Sequence, residues 1–285
     1  MTRKIERITV IGAGTMGHGI AHVSAMAGFD TYLYDVDNAA LERGFGFIRA
    51  NLDKGVEKGF VAANTRESTM EHLSGTTELS VAVEDADLII EAVPERMALK
   101  RAVLGDVCAL APQHTIIGTN TSSLSVTELA EICVHPSQVL GMHFFNPPHR
   151  VMLLELVRTE STSQEVLDSV TAVARAMGRE LIVVTDSPGF ASSRLGLVLG
   201  LEAIRMVEQG VASPEDIDKA MVHGYKHPMG PLKLTDWVGL DVRLSIAEYL
   251  HRELNAEQFK PPELLKQMVA DGKLGRKSGQ GFYSW

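Results

Sequence analysis

The sequence is poor in cysteine and in positive charge, and it lacks any long apolar run. Two cysteines, Cys108 and Cys133, occur in 285 residues. Two thiols so placed outline neither a disulfide framework nor a metal-ligand spacing. Both fall in apolar helical patterns, so the expectation is a pair of buried free thiols. Lys and Arg number 27 against 36 Asp and Glu, a formal net charge of −9. No basic face large enough for a nucleic-acid backbone is evident, which sets that class of partner aside. An anionic ligand is still accommodated, provided that cations and backbone amides are gathered locally. No apolar run reaches the length of a membrane span. The opening MTRKIERITVIG enters an apolar strand without the regions of a signal peptide, so the cytoplasm is the expected compartment. Repeats, low-complexity tracts and long charge runs are absent too.

What is present is an alternation. Hydrophobic residues make up 45% and charged residues 22%, ordinary values for a globular chain. Short β-like runs, ITVIG (8–12), TYLYD (31–35), DLIIEAV (87–93) and TIIGTN (115–120), are separated by helical patterns. VLGMHFF, VMLLELV and ELIVVTD continue the series of strands, with a helix over QEVLDSVTAVARAMG. Such alternation predicts a parallel sheet covered by helices, a doubly wound Rossmann-like α/β domain. The character changes at DSPGF (186–190), beyond which the patterns are helical. Ser213 before Pro214 and Glu215 is a capped helix start. The expectation is an N-terminal domain over 1–186 and an all-helical C-terminal domain over 187–285. The helices of the second are apolar enough to pack on the first domain, on a second copy, or on both.

The first strand runs into GAGTMG, with Gly12, Gly14 and Gly17. A bare G-x-G-x-x-G is weak evidence, but this one follows a strand and opens a helix. Gly12 makes the tight turn, Gly14 admits a pyrophosphate to the backbone, and Gly17 lets helix and strand pack. Amides at the helix start, those of Thr15 and Met16 among them, then face the phosphates. The second strand ends at Asp35, 21 residues after Gly14. A carboxylate there accepts hydrogen bonds from an adenosine ribose and repels a 2′-phosphate, and VDN rather than an arginine follows. NAD is therefore the expected cofactor rather than NADP.

In GMHFFNPPHRVMLLELVR (141–158) one imidazole, His143, and one carboxylate, Glu155, interrupt two apolar stretches. With the stretches paired antiparallel and Phe145 facing Val151, His143 faces Leu153 and Glu155 lies diagonally on the same face. A carboxylate–imidazole hydrogen bond then fixes the tautomer and leaves the other nitrogen to act as a general base. Taken alone, such a pair is more often structural. Beside a dinucleotide fold it suits removal of a proton from an alcohol as hydride departs. The turn Asn120-Thr121-Ser122-Ser123 also follows a strand end, where such chemistry gathers. Ser122 is either a donor to a substrate oxygen or a serine that starts a helix.

These residues carry a resemblance. VIGAGTMGHGIA, EAVPE, NTSSL, GMHFFNPP followed by Glu155, DSPGF, HPMGPLKLTDWVGLD and the terminal GRKSGQGFY are together similar to the L-3-hydroxyacyl-CoA dehydrogenase family, in its 3-hydroxybutyryl-CoA dehydrogenase type. The resemblance spans essentially the whole chain. It implies NAD-dependent oxidation of an (S)-3-hydroxyacyl-CoA, with acyl-CoA as substrate and a homodimer formed through the helical domain. It implies His143 as the base, Glu155 as its orienting carboxylate and Ser122 on the substrate's 3-oxygen. Glu95, Lys100, Asn120 and Asn146 are implied around the nicotinamide and its ribose, with Lys277 approaching the cofactor. Lys58, with Asn51, is implied along the CoA. Lys54 and Lys58 are one helical turn apart, which suits a phosphate-bearing tail as well as it suits a solvated basic face.

One position departs from the family pattern. Where the family has, before Arg194, an Asn that hydrogen-bonds toward the substrate and Ser122, this chain has Ser193, which the resemblance implies helps Ser122 at the substrate oxygen through a hydroxyl that reaches less far. The departure leaves two other readings open: the same fold acting on a free hydroxy acid such as L-gulonate, or on carnitine, and an NAD-binding protein with little turnover. No metal is expected. His18 and His22 are spaced i, i+4 but have no third ligand or general base, and they are read as ordinary helix residues. His223, His227 and Trp237 are read as packing residues.

Overall fold

The computed structural model describes residues 3–285. Among the described residues eight strands form one sheet: β1 (Arg7–Ile11), β2 (Asp30–Tyr34), β3 (Leu73–Thr76), β4 (Leu88–Glu91), β5 (Ile116–Thr119), β6 (Val139–Phe144), β7 (Leu153–Arg158) and β8 (Glu180–Thr185). Their order is β3-β2-β1-β4-β5-β6-β7-β8. All neighbours are parallel except β6 and β7. The chain therefore leaves β1 toward one side of the sheet and returns to build the other side from β4. Beside β1 lies the switch point at which open α/β sheets bind ligands.

The helices α1 (Gly17–Met26), α2 (Asn38–Glu57), α3 (Ala63–Glu71), α4 (Leu79–Val83), α5 (Met97–Leu110), α6 (Val126–Ala130) and α7 (Gln164–Ala176) cover both faces. Successive strand residues feed opposite faces, as a two-residue period requires. Ile8, Val10, Leu88, Ile90 and Ile116 join one core with Ile20, Ile48, Leu52 and Val170. Ile11, Ile89 and Ile117 join the other with Val83, Leu104, Val107 and Leu129. Strands β4, β5 and β6 are buried at every residue, which explains why they read as unbroken apolar runs.

The cysteines correct an expectation. Cys108, near the end of α5, and Cys133, just after α6, form a disulfide rather than two free thiols. Their Cα atoms are 5.6 Å apart, inside the range a disulfide spans. The juxtaposition arises because both helices cover the same sheet face, a tertiary fact that a separation of 25 residues does not announce.

The chain divides into two compact units, one ending at Asp186 and the other running Ser187–Trp285. The second holds α8 (Ser192–Glu208), α9 (Pro214–Lys219), α10 (Pro231–Val238), α11 (Leu240–Leu254) and α12 (Glu263–Ala270). Its core takes Leu197, Leu201 and Ile204 from one stripe of α8, with Leu232, Leu240, Leu250 and Leu265 from the other helices. Ser213 caps α9 by accepting from the Asp216 amide, with Pro214 in the first turn. Two buried carboxylates fasten the C-terminal tail to this unit. Asp236 accepts from the amides of Phe282 and Tyr283 and from Trp285 Nε1, each at 2.9 Å. Asp218 accepts from Leu232 N and from the Tyr283 hydroxyl, each at 2.8 Å. Among the described residues no helix is long and apolar enough to cross a membrane.

Candidate active site

The loop between β1 and α1 is shaped by what cannot fit. Gly12 has φ +101°, and a Cβ there would stand 3.0 Å from the Ala92 carbonyl oxygen. A Cβ on Gly17 would run into the Gly12 carbonyl. The chain can therefore pass from strand to helix this tightly only with glycine at both positions. No side chain caps α1, and no carboxylate lies in its first turn. Its amides are left to an anion, which the helix dipole also favours.

A cavity of ≈ 660 Å³ opens on this loop. Gly12, Gly14, Thr15 and Met16 line one side, Asp35 the end of β2, and Glu95, Asn120 and Ser122 the side beyond β4 and β5. Asp35 Oδ2 accepts from Ala13 N at 2.8 Å and Oδ1 from Asp37 N at 3.1 Å, which joins the end of β2 to the glycine loop. A glycine turn, an anion-ready helix start and a ribose-seeking carboxylate around one cavity fit an extended dinucleotide.

Glu95 organises the far side. Its Oε1 accepts from Thr121 Oγ1 at 2.6 Å, from Ser122 N at 2.8 Å and from Ser123 N at 3.2 Å. The turn that carries Ser122 is thus held by a carboxylate from the previous strand's loop. Asn120 ties β5 to β6, its Oδ1 accepting from Phe144 N at 2.8 Å. Lys100 is 1% exposed and reaches Glu91, which is 0% exposed, with Glu95 3.4 Å away. Lys100, in the first turn of α5, is thus held by Glu91 at the end of β4 and stands behind Glu95, which lines the cavity. Glu91 was missed by the sequence reading. The available signal was a lone carboxylate ending the apolar run LII, with a lysine nine residues on.

His143 Nδ1 lies 2.7 Å from Glu155 Oε2, and both side chains are buried. The register differs from the one expected. His143 pairs with Glu155 directly, not with Leu153, and Phe144 pairs with Leu154. The connection is longer than NPPHR because Phe145, Val151 and Met152 fall outside the strands. Directly opposed residues point to the same sheet face with Cβ atoms about 4.5–5.5 Å apart, so a histidine and a glutamate meet without strain. The His143 ring also packs on Phe145, 4.5 Å between centroids. His143 itself does not line the dinucleotide cavity. Asn120, bonded to the next residue of β6, does.

Asn146 is exposed and precedes a cis bond to Pro147. Asn51 and Lys58 line a second cavity together with Lys54, His22 and His149. Ser193 lies in the first turn of α8, in the helical unit. Lys277 Nζ is 2.6 Å from the Asp241 carboxylate in that same unit. His22 is not an ordinary helix residue. It is 3% exposed, and among the described residues neither ring nitrogen has a hydrogen-bond partner.

Known proteins resemble this chain over both of its units. The family model described as "3-hydroxyacyl-CoA dehydrogenase, NAD binding domain" matches residues 7–187, and "3-hydroxyacyl-CoA dehydrogenase, C-terminal domain" matches 189–285. A probable 3-hydroxybutyryl-CoA dehydrogenase of Bacillus subtilis is 43% identical over 282 residues, 99% of this chain and 98% of its own. The crystal structure of (S)-3-hydroxybutyryl-CoA dehydrogenase PaaH1 from Ralstonia eutropha is 36% identical, with a TM-score of 0.96 over 99% of each chain. A diketoreductase structure is more distant, 30% identical with a TM-score of 0.87 over 100% of each chain. With both halves matched in order, the chain belongs to the 3-hydroxyacyl-CoA dehydrogenase family and is an NAD-dependent oxidoreductase.

Proposed function

We propose that the protein oxidises the 3-hydroxyl of a short (S)-3-hydroxyacyl-CoA, such as 3-hydroxybutyryl-CoA, to the 3-ketone, and runs in reverse on acetoacetyl-CoA. The observation that carries this reading is the 2.7 Å contact between His143 Nδ1 and Glu155 Oε2 at the end of β6. Bound NAD supplies the hydride acceptor. The Glu155 carboxylate accepts the Nδ1 proton, fixes the tautomer and presents Nε2 as the base. Nε2 takes the hydroxyl proton as the C3–H bond breaks, and the buried carboxylate balances the imidazolium that forms. In the reverse direction the same nitrogen returns the proton to the 3-oxygen.

Ser122 donates to that oxygen, its turn held in place by Glu95. The Glu95 carboxylate, half-exposed at the cavity wall, takes the ribose contact, with the Lys100 ammonium 3.4 Å behind it. Asp35 holds the adenosine ribose, and the amides after Gly14 hold the pyrophosphate. Asn146 positions the nicotinamide, and Asn51 and Lys58 lie along the CoA. Ser193 and Lys277 retain the substrate and cofactor roles implied by the resemblance. The N-terminal domain binds NAD, and the helical domain serves substrate and dimer. Leu195, Trp237 and Val242 are exposed apolar residues of that unit suited to a second copy of the chain.

One assay tests the reaction: protein, NADH and acetoacetyl-CoA, with NADH absorbance followed in time. Rapid loss is expected. No loss with CoA thioesters, together with NAD reduction by L-gulonate or carnitine, would transfer the activity to a free hydroxy compound.

A further inference from the structure

Arg243 of α11 is 7% exposed, in the helical unit. Its Nε is closed off from solvent and has no hydrogen-bond partner among the described residues. Burial alone pushes its pKa from 12.5 down to about 10, and no carboxylate acts on it in the other direction. The guanidinium is therefore cationic at neutral pH, a buried charge without a counter-ion. Buried charges are normally paired, because their desolvation is otherwise uncompensated. The space beside this one is made by two glycines of α8. A Cβ on Gly196 would stand 3.8 Å from Arg243 Nη1, and a Cβ on Gly200 would stand 3.8 Å from Cζ and 3.2 Å from Thr235 Oγ1. A larger side chain at either glycine would lie over the guanidinium. The terminal nitrogens are not closed off as Nε is, and they suffice for a bidentate carboxylate.

We propose that Arg243 is the specificity residue for a carboxylate at the far end of the substrate's acyl chain, and that the preferred substrate is the mono-CoA thioester of a 3-hydroxy dicarboxylic acid. The inference rests on the acyl-CoA reading above and deepens it by naming the substrate class. Ser193, the α8 residue given to the substrate there, precedes Gly196 by three residues and Gly200 by seven, so the three share one face of the helix. From Ser193 the helix rises about 5 Å to Gly196 and about 10 Å to Gly200. That offset matches the distance from a 3-oxygen to a carboxylate a few carbons further along. The guanidinium then receives the one group it lacks, through a planar fork that an ammonium does not offer. A methyl-ended chain would leave the cation desolvated and unpaired, so the same residue disfavours the plain acyl chain.

The test follows NADH oxidation with 3-oxohexanedioyl-CoA and 3-oxohexanoyl-CoA, chains of equal length that end in carboxylate and in methyl. Wild type is expected to favour the acid about ten- to a hundredfold in kcat/KM. Arg243→Met should lose that preference and leave kcat/KM for the methyl-ended ester no lower than in wild type. Arg243→Lys, which keeps the charge without the fork, should recover part of it. Gly196→Leu covers the guanidinium without removing it and should also lose the preference; it decides the question should Arg243→Met fail to fold. Urea unfolding gives a separate reading: with an unpaired cation removed, Arg243→Met is expected to be at least as stable as wild type. Equal reduction of both esters by wild type, or a preference that survives in Arg243→Met, would overturn the inference. So would an Arg243→Met protein that loses self-association and both activities alike, which would assign the cation to a carboxylate of a second copy. Calorimetry with hexanedioyl-CoA and hexanoyl-CoA reads the same preference without turnover. If no thioester is reduced, the reaction proposed above fails; Arg243-dependent preference for hexanedioyl-CoA would still support this site, and equal binding would overturn it. NAD reduction by free 3-hydroxyhexanedioate, with neither thioester reduced, would sink the acyl-CoA reading and keep Arg243 as the carboxylate's receptor.

Discussion

Lys100 sets its ammonium against both oxygens of the Glu91 carboxylate, 2.8 Å from Oε1 and 3.0 Å from Oε2, in the interior beneath the dinucleotide cavity. The carboxylate is fully engaged, because Thr119 Oγ1 donates to Oε2 at 2.6 Å and Val93 N to Oε1 at 2.7 Å. Three consecutive pieces of the cavity wall are thereby tied to one buried charge: the end of β5, the loop after β4 and the start of α5. A buried ion pair is a weak contributor when compared with a well-packed apolar pair, but breaking it by removing one partner is severe.

Lys100→Met is therefore expected to destabilise the protein by about 3–5 kcal/mol, because it strands the Glu91 carboxylate. Glu91→Leu combined with Lys100→Met should recover much of the loss. Urea unfolding of the three variants measures both quantities. If Lys100→Met proves as stable as wild type but binds NAD poorly, Lys100 is a cofactor ligand after all.

His143→Gln removes the proton acceptor while leaving a polar group near Glu155. A positioned general base contributes about 10²–10⁴-fold, so kcat should fall by that factor with NAD affinity unchanged. Steady-state rates and NAD titration separate the two. A near-normal rate would return the pair to a purely structural role.

Asp35→Ala tests cofactor choice. Its carboxylate lines the cavity and accepts from Ala13 N at 2.8 Å. Loss of a charged acceptor to the ribose corresponds to roughly 1.5–3 kcal/mol, an increase of about ten- to a hundredfold in the Kd for NAD. The Kd for NADP should change little, since the repulsion of its 2′-phosphate disappears at the same time. Fluorescence titration with both cofactors reads the ratio, and an unchanged ratio would remove Asp35 from the selection.

Much of this site could be read along the chain because its determinants are local. The glycine spacing, Asp35 at a strand end, and His143 with Glu155 twelve residues apart each reflect a turn or a strand period. Long strands of β-branched residues likewise announced themselves, whereas β3, LSGT, has one buried residue and reads as loop. What stayed hidden depends on packing between distant segments. The His143–Glu155 register depends on the length of the Pro-Pro turn, and the setting of His22 on α1 depends on the loop that carries His149, more than a hundred residues away. The motifs LTDW and GQGFYSW belong together because Asp236 accepts from Phe282, Tyr283 and Trp285, a relation that no local pattern expresses.

The Cys108–Cys133 disulfide gives a further expectation. Cross-linking residues 25 apart restricts the unfolded chain by an amount worth roughly 3 kcal/mol in the chain-entropy view. A reducing agent should lower the urea midpoint of the wild-type protein and have no effect on Cys133→Ser. A wild-type midpoint that is indifferent to reductant would show that the bridge adds nothing to stability.

Acid stability should carry the mark of His22. Desolvation first, then the neighbouring His149 and His18, push its imidazole down from the ordinary value near 6.5 to about 4. In the unfolded chain the same ring takes its proton as pH falls through 6.5, while in the fold it stays neutral until about 4. The unfolded state thus binds more protons between those values, and linkage makes the fold less stable as pH drops through that window. Above about pH 7 neither state holds the proton and the contribution is complete. Moving from pH 7.5 to pH 5 should remove about 2 kcal/mol through this one residue. His22→Gln, which has no titrating ring, should lose correspondingly less over the same interval. Paired urea titrations at the two pH values measure the difference, and identical losses in wild type and variant would show that His22 is protonated within the fold.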